Sequence, residues 1–455
     1  MRVGLQEAYH KIGIESIYDH QLNAWKLLNQ GNNLILAAGT GAGKTEAILL
    51  PAIVAGFRII LVYPTKALLQ DQVPRVHEVW QSLYGRPSTR SISIDTGDDN
   101  DETLFRADVI LTTIDKLLYR VFGYGSARWG YIYPWRIAQS RQKKTLLVFD
   151  EAHSYDSLPL THFLFLVDKL AYERRIQTVV LSATLPQALT NHLIDTQNKV
   201  FPRANDEETF FKLIDEKSGE VKRGIVRYCG HLKGQDEIVE KALGEYKQNR
   251  QVSIVANRVY PTSSVGGQGC SIKELWDALQ NKLGDAASED LILYHGHQFP
   301  NQRRQFLERL KERDESRKHV VKPYILITTK AFEVGVNVSC DVMLCEMCNP
   351  DSFIQRIGRC ARRMRKSDDG FEEPEHGDVY TFGETSKQAS PKEKESQRRL
   401  AELLRQNEGL DLDADTKAKI NALNVFDDTL LARRRNTVIY AVDSALYDYV
   451  YNYVA

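Results

Sequence analysis

The segment Gly39-Thr40-Gly41-Ala42-Gly43-Lys44-Thr45 combines closely spaced glycines with a lysine and a hydroxyl. Glycines let a backbone turn so tightly that its amides converge on one point, and the N-terminus of a following helix adds partial positive charge there. That is chemistry for phosphate oxygens. In such a loop Thr40, Gly41 and Gly43 supply the turn and its amides. Lys44 reaches the β- and γ-phosphates of a nucleotide such as ATP, and the Thr45 hydroxyl is a ligand for Mg2+. A pair of acids, Asp150-Glu151, ends another apolar run. An acid at the carboxyl end of a strand, beside a phosphate loop, suits the same cation, and Asp150 is the candidate. Glu151 is then placed to orient an attacking water and take its proton.

These groups need a scaffold. Apolar runs at 33–38, 57–63, 108–112, 145–149 and 178–181 alternate with longer amphipathic stretches. Near-continuous apolar strands separated by helices indicate a parallel sheet covered on both faces. The glycine loop leaves the first run and the acids leave the fourth. Residues 205–224 are polar and charged and read as a linker. Strand-like runs resume at 252–256, 291–294, 324–328 and 342–344, which implies a second α/β domain. Beyond 385 the chain is charged and helix-prone, then tyrosine-rich over 437–454. The expected division is an ATP-binding domain over 1–204, the linker 205–224, a second domain over 225–384 and a small, mostly helical extension over 385–455.

Composition narrows the classes. The 60 basic and 60 acidic residues cancel, which excludes a protein that binds nucleic acid by bulk charge but not one with a local basic groove. The apolar stretch 47–57 is too short to span a bilayer, holds Pro51 and ends at Arg58. Six cysteines and no signal-peptide layout read as a cytoplasmic chain without membrane partners. Cys345-Glu346-Met347-Cys348 has zinc-like spacing, but strand alternation would point Cys345 and Cys348 to opposite faces, so both read as core thiols. Trp129, Tyr131, Tyr133 and Trp135 lie in an apparent loop insertion, where packing is the reading preferred over base stacking.

The motifs resemble those of superfamily 2 helicases over roughly residues 15–380. Ala38 to Thr45 is similar to that family's phosphate loop, Asp150-Glu151-Ala152-His153 to its acidic box, and Ser182-Ala183-Thr184 to its coupling segment. Gln355-Arg356-Ile357-Gly358-Arg359-Cys360-Ala361-Arg362 is similar to its arginine motif. The resemblance implies two tandem RecA-like parallel-sheet domains that close over one ATP. Arg359 and Arg362 are then the fingers on the γ-phosphate, and Gln355 belongs to the same catalytic motif. Gln21, in Tyr18-Asp19-His20-Gln21, falls where the family reads adenine. Gly335 and Asn337 fall in a nucleotide-facing segment that usually carries Asp where Asn337 stands. Thr65, Lys66, Thr96, Gly97, Thr112, Arg258 and Thr328 fall in loops that follow a nucleic-acid strand by its backbone.

Glu346-Met347-Cys348-Asn349-Pro350, Tyr294-His295-Gly296-His297 and the extension of the acidic box to Ser154-Tyr155-Asp156 resemble the interference helicases of type I CRISPR systems. Many of those carry a histidine-aspartate nuclease domain, and this sequence contains no His-Asp dipeptide. The expectation is a standalone helicase subunit, most like type I-D. It would move 3′-to-5′ on single-stranded DNA beside a guide-RNA surveillance complex, with the nuclease on another subunit. An RNA helicase of the same superfamily, or a nucleotide-gated clamp that does not unwind, are the alternatives.

Overall fold

Strand formation follows the apolar runs. In a computed structural model of the chain, described over residues 4–15, 17–38, 43–88, 91–96, 105–122, 144–155, 157–173, 175–182, 189–194, 210–214, 224–260, 271–295, 298, 302, 305–306, 308–310, 312–313, 322–329, 338–361, 364–366, 372–384 and 391–423, they build two sheets. The chain divides into two units, one within Met1–Gly219 and one within Glu220–Val425. The first holds β1 (Asn33–Ala37), β2 (Arg58–Tyr63), β3 (Ile92–Asp95), β4 (Val109–Thr113), β5 (Thr145–Phe149), β6 (Gln177–Ser182) and β7 (Phe210–Ile214). Their order is β3-β4-β2-β5-β6-β1-β7, and every neighbouring pair is parallel. β2 and β4 are buried along their whole length, as strands covered on both faces must be.

The second unit holds β8 (Ile225–Leu232), β9 (Gln251–Val255), β10 (Leu291–Tyr294), β11 (Tyr324–Thr328) and β12 (Val342–Glu346). β13 (Met364–Lys366) and β14 (Glu372–Pro374) form a separate antiparallel ribbon, and β15 (His376–Phe382) returns to the sheet. The order is β10-β11-β9-β12-β15-β8, again parallel throughout. Strand periodicity sorts its core. Val342 and Leu344 join Leu275 and Leu279 on one face, while Met343 and Cys345 join Leu400, Leu404 and Ile420 on the other. The helices Pro391–Gln406 and Ala414–Ala422 thus complete the second core.

Besides the β13–β14 ribbon, four strands lie outside the expected runs. β7 falls inside the polar 205–224 stretch and pairs with β1. β8 alternates buried and exposed positions as an edge strand does, so it lacks a continuous apolar run. β3 and β15 carry polar residues among their apolar ones. Contrary to the alternation expected from their spacing, Cys345 and Cys348 do not share one strand. β12 ends at Glu346, so its alternation does not reach Cys348, and Cys345 and Cys348 are buried in the same apolar cluster. Among the described residues no helix is long and apolar enough to cross a membrane.

One buried ion pair fastens the far side of the first sheet. Asp95, at the end of β3, accepts two hydrogen bonds of 2.8 Å from Arg120 of the helix Ile114–Val121, and both residues are buried. Thr112 donates to the Asp95 carbonyl at 2.8 Å, and the Lys116 amine stands 3.8 Å from the carboxylate. Removing one partner of a buried pair strands the other charge. Arg120→Leu should therefore cost about 3 kcal/mol. Amide hydrogen exchange in β3 and β4 would read this as lost protection, and unchanged protection would mean that Lys116 alone neutralises Asp95.

Candidate nucleotide and strand site

Parallel pairing sends every strand's carboxyl end to one edge of the sheet, where ligands of open α/β sheets bind. In the first unit, β1 and β6 are level at Ala37 and Ser182, and the Ala38 amide continues the ladder to the Ser182 carbonyl at 3.1 Å. The Asp150 amide continues the β5–β2 ladder to the Val62 carbonyl at 2.9 Å. The base of the phosphate loop, the acidic box and the end of β6 therefore share that edge.

Gly43 takes a left-handed φ of 72° and opens the helix Lys44–Ala55. Lys44 is buried and donates from Nζ to the Ala38 carbonyl at 2.8 Å, folding its amine back across the loop. Gln21 is buried in the helix Asp19–Asn29. Its Oε1 accepts from the Tyr18 amide at 3.0 Å and its Nε2 donates to the Gly43 carbonyl at 3.3 Å, so its carboxamide ties the upstream segment to the phosphate loop. Beside it, Gln6, Tyr9, His10, Ile14, Glu15, Ile17 and Leu22 line a cavity of about 330 Å³, within the size range of small-molecule sites.

The acids sit under strain and in low dielectric. Glu151 has a left-handed φ of 47°, a conformation that costs a non-glycine residue about 1–3 kcal/mol and clusters at functional sites. The Asp150 Oδ1 accepts from the Glu151 amide at 2.8 Å. Burial, then the Glu151 carboxylate, pushes the Asp150 carboxyl up to about 7, with Lys44 opposing. Two adjacent carboxyls at the end of a strand have the hard oxygen donors that a divalent cation such as Mg2+ takes. Aromatic packing fixes the turn. Phe149 meets Phe163 edge-on at 4.9 Å between centroids, and Tyr155 stacks on Phe163 at 5.2 Å.

The loops expected to follow a nucleic-acid strand leave from the carboxyl ends of the strands as well. Thr65 is exposed and caps the helix Lys66–Tyr84, its hydroxyl accepting from the Leu68 amide at 3.2 Å. Lys66 is partly exposed, whereas Thr96 is buried. Thr112, likewise buried, spends its hydroxyl on the Asp95 carbonyl. In the second unit, Thr328 ends β11 buried and Arg258 follows β9 exposed. Gln355 and Arg359 are half-buried at the end of the helix Pro350–Ile357. Thr40, Gly41, Gly97, Gly335, Asn337 and Arg362 lie outside the described residues, as do Trp129 to Trp135 and the tyrosine-rich end.

Sequence reasoning missed Arg356. It is fully buried and donates to the Asn257 Oδ1 at 2.8 Å and to the Glu346 carbonyl at 3.1 Å. The Asn257 amide donates in turn to the Glu346 carboxylate, whose pKa burial raises and that hydrogen bond lowers. This cluster ties the loop after β9 to the end of β12. The available signal was spacing: Arg356 stands three residues after Phe353 and one before Ile357, on the apolar face of its helix. The next turn is equally tight. The Cys340 amide donates to the Arg359 carbonyl at 3.0 Å, and a Cβ on Gly377 would meet the Cys360 sulfur at 2.5 Å.

Residues 18–192 match the family model for DEAD/DEAH box helicases. Residues 270–365 match the C-terminal part of CRISPR-associated nuclease/helicase Cas3. Helicase-type family models thus match a segment in each of the two units. The chain is 28% identical over 367 residues to a putative CRISPR-associated nuclease/helicase Cas3 of Methanocaldococcus jannaschii, covering 74% of this chain and 46% of that protein. Its fold matches T. fusca Cas3 with AMPPNP, with a TM-score of 0.66 at 17% identity over 97% of this chain and 56% of that one. It also matches the DUF1998 helicase MrfA bound to DNA and AMPPNP, with a TM-score of 0.62 at 17% identity over 92% of this chain and 56% of that one. The chain spans about half the length of the curated relatives it matches. Its two units are tandem RecA-like domains.

Gly43 carries a local prediction. A Cβ there would meet the Gln21 Nε2 at 2.8 Å in a backbone conformation that L-residues resist. Gly43→Ala should weaken Mg-ADP binding by about tenfold, the equivalent of the left-handed penalty. Equal affinity in a fluorescent-nucleotide titration would show that the loaded loop abandons this geometry.

Proposed function

We propose that the chain is an ATP-driven motor that moves 3′-to-5′ along single-stranded DNA in type I CRISPR interference. In this reading it acts with a guide-RNA surveillance complex and a nuclease carried on a separate subunit, most like a type I-D helicase. The observation that carries the motor reading is the shared sheet edge of the first unit, where buried Lys44 lies at the base of the phosphate loop and the Asp150-Glu151 pair follows β5. The Cas3-type match over residues 270–365 supports the CRISPR assignment, and the fold shared with a DNA-bound helicase supports DNA as the strand.

Each residue then has a role. Lys44 neutralises the β- and γ-phosphates, and the amides of Thr40, Gly41 and Gly43 cradle them. Thr45 and Asp150 hold Mg2+, which when bound offsets charge on the phosphate oxygens. Glu151 orients the attacking water and accepts its proton. Arg359 and Arg362, with Gln355, stabilise the charge that develops as the γ-phosphate leaves. Gln21 holds the base side of the nucleotide, and Gly335 and Asn337 contact the nucleotide from the second unit. Thr65, Lys66, Thr96, Gly97, Thr112, Arg258 and Thr328 belong to the segments that follow the strand backbone. Such contacts carry little base information, which suits a motor whose target is chosen by guide pairing.

ATP turnover should rise with single-stranded DNA. Lys44→Ala and Glu151→Gln should each lower it by about a hundredfold or more. Arg359→Ala should lower turnover by about a thousandfold with a much smaller change in nucleotide affinity. Stimulation by RNA and not by DNA would replace this reading with an RNA helicase. Strand-stimulated turnover that never displaces a paired strand would leave a nucleotide-gated clamp.

A further inference from the structure

Glu46 is the unexplained charge of the phosphate site. It lies in the first turn of the helix Lys44–Ala55, one residue beyond Thr45, and is buried. Its carboxylate folds back beside the loop, since a Cβ on Gly43 would stand 3.7 Å from Oε2. A carboxylate at a helix N-terminus is favoured by the dipole, but it competes there with any other anion that the same terminus would bind. Left unneutralised, it would repel the triphosphate in a low-dielectric setting.

Its counter-ion comes from another element. Arg75 of the helix Lys66–Tyr84 pairs through Nη2 with the Glu46 Oε1, with its own side chain about half exposed. Thr65, exposed and assigned to the strand, caps the start of that same helix. Tyr63, the last residue of β2, is fully buried just before the loop. Its phenol is pushed well above its usual range by burial and then by Asp150, with Arg75 opposing and Tyr155 and Glu46 adding, so these groups surround one spot. From the other side, the Tyr9 hydroxyl donates to the Glu46 carbonyl at 3.3 Å. The helix that begins at the strand-contacting loop thus supplies the cation that neutralises the acid beside the phosphate loop.

We propose that Arg75 is a positioning residue for hydrolysis: by neutralising Glu46 it lets the phosphate loop accept nucleotide, and by the same ion pair it couples strand binding at Thr65-Lys66 to that loop. This rests on the ATPase and strand-binding reading above. Two consequences separate it from a general packing role. Loss of the cation should harm nucleotide binding only while Glu46 remains charged. Loss of either partner should harm the coupling.

The test uses the full chain, a fluorescent ADP analogue with Mg2+, and ATP turnover with and without oligo-deoxythymidine. Arg75→Gln should weaken ADP binding by about tenfold and cut strand stimulation by about tenfold. Glu46→Gln alone should keep ADP affinity within about threefold of the parent and still lose strand stimulation. The double variant should regain ADP affinity and remain poorly stimulated. Arg75→Lys, which keeps a cation, should retain most of both and serves where Arg75→Gln is too unstable to assay. Failure of Glu46→Gln to rescue ADP binding in the Arg75→Gln background would overturn the proposal, as would full strand stimulation in Arg75→Gln or Glu46→Gln. A parent chain that strands do not stimulate would overturn the functional reading and this one with it.

Discussion

When all strands of a sheet run the same way, every strand-to-helix turn leaves from one edge. That constraint organises this molecule. The phosphate loop after β1, the acids after β5 and the loops after β2 and β4 come from positions far apart in the chain, yet parallel pairing delivers them to the same side. The register is as important as the direction. With Ala37 level with Ser182 and Val62 level with Phe149, the exits are aligned to within a residue, and a slip of one would turn each final side chain to the opposite face. The second sheet obeys the same rule for Asn257, Thr328 and Glu346.

Bringing these loops together concentrates charge, and the structure meets that cost locally. Asp150 and Glu151 are neighbours at the end of β5, and burial, then the Glu151 carboxylate, raises the Asp150 carboxyl. The left-handed backbone at Glu151 is a second cost, held in place by the Phe149, Tyr155 and Phe163 rings. Each unit also holds paired charges of its own: Asp95 with Arg120 and Glu46 with Arg75 in the first, and Glu346 near Arg356 in the second. Such pairs add little net stability relative to apolar packing. Their value is geometric, because each joins an element that carries a functional loop to its neighbour.

The sequence was most readable where chemistry dictates residue type. Phosphate binding demands glycines, a lysine and a hydroxyl in one short run, so the run ending in Lys44-Thr45 reads as such a loop from residue types alone. Interior strands such as β2 and β4 are legible because burial on both faces requires continuous apolar residues. Edge strands escape that rule: β8 alternates and β7 lies among charges. Least legible were partners far apart in the chain. Nothing in the run Gln355-Arg356-Ile357 says that its first arginine is spent on Asn257 and the Glu346 carbonyl, while Arg359 stays half-exposed. Nor does Glu46 announce Arg75, because the pair depends on how two helices cross after the sheet has formed.

Gly377 has no side chain to offer any ligand, yet the turn that presents Arg359 is moulded against it, with the Cys360 sulfur filling the room a methyl group would need. Random substitution along this chain should therefore find position 377 intolerant of any side chain at all. A screen scored by function alone would mistake such a silent mould for a residue that touches a ligand.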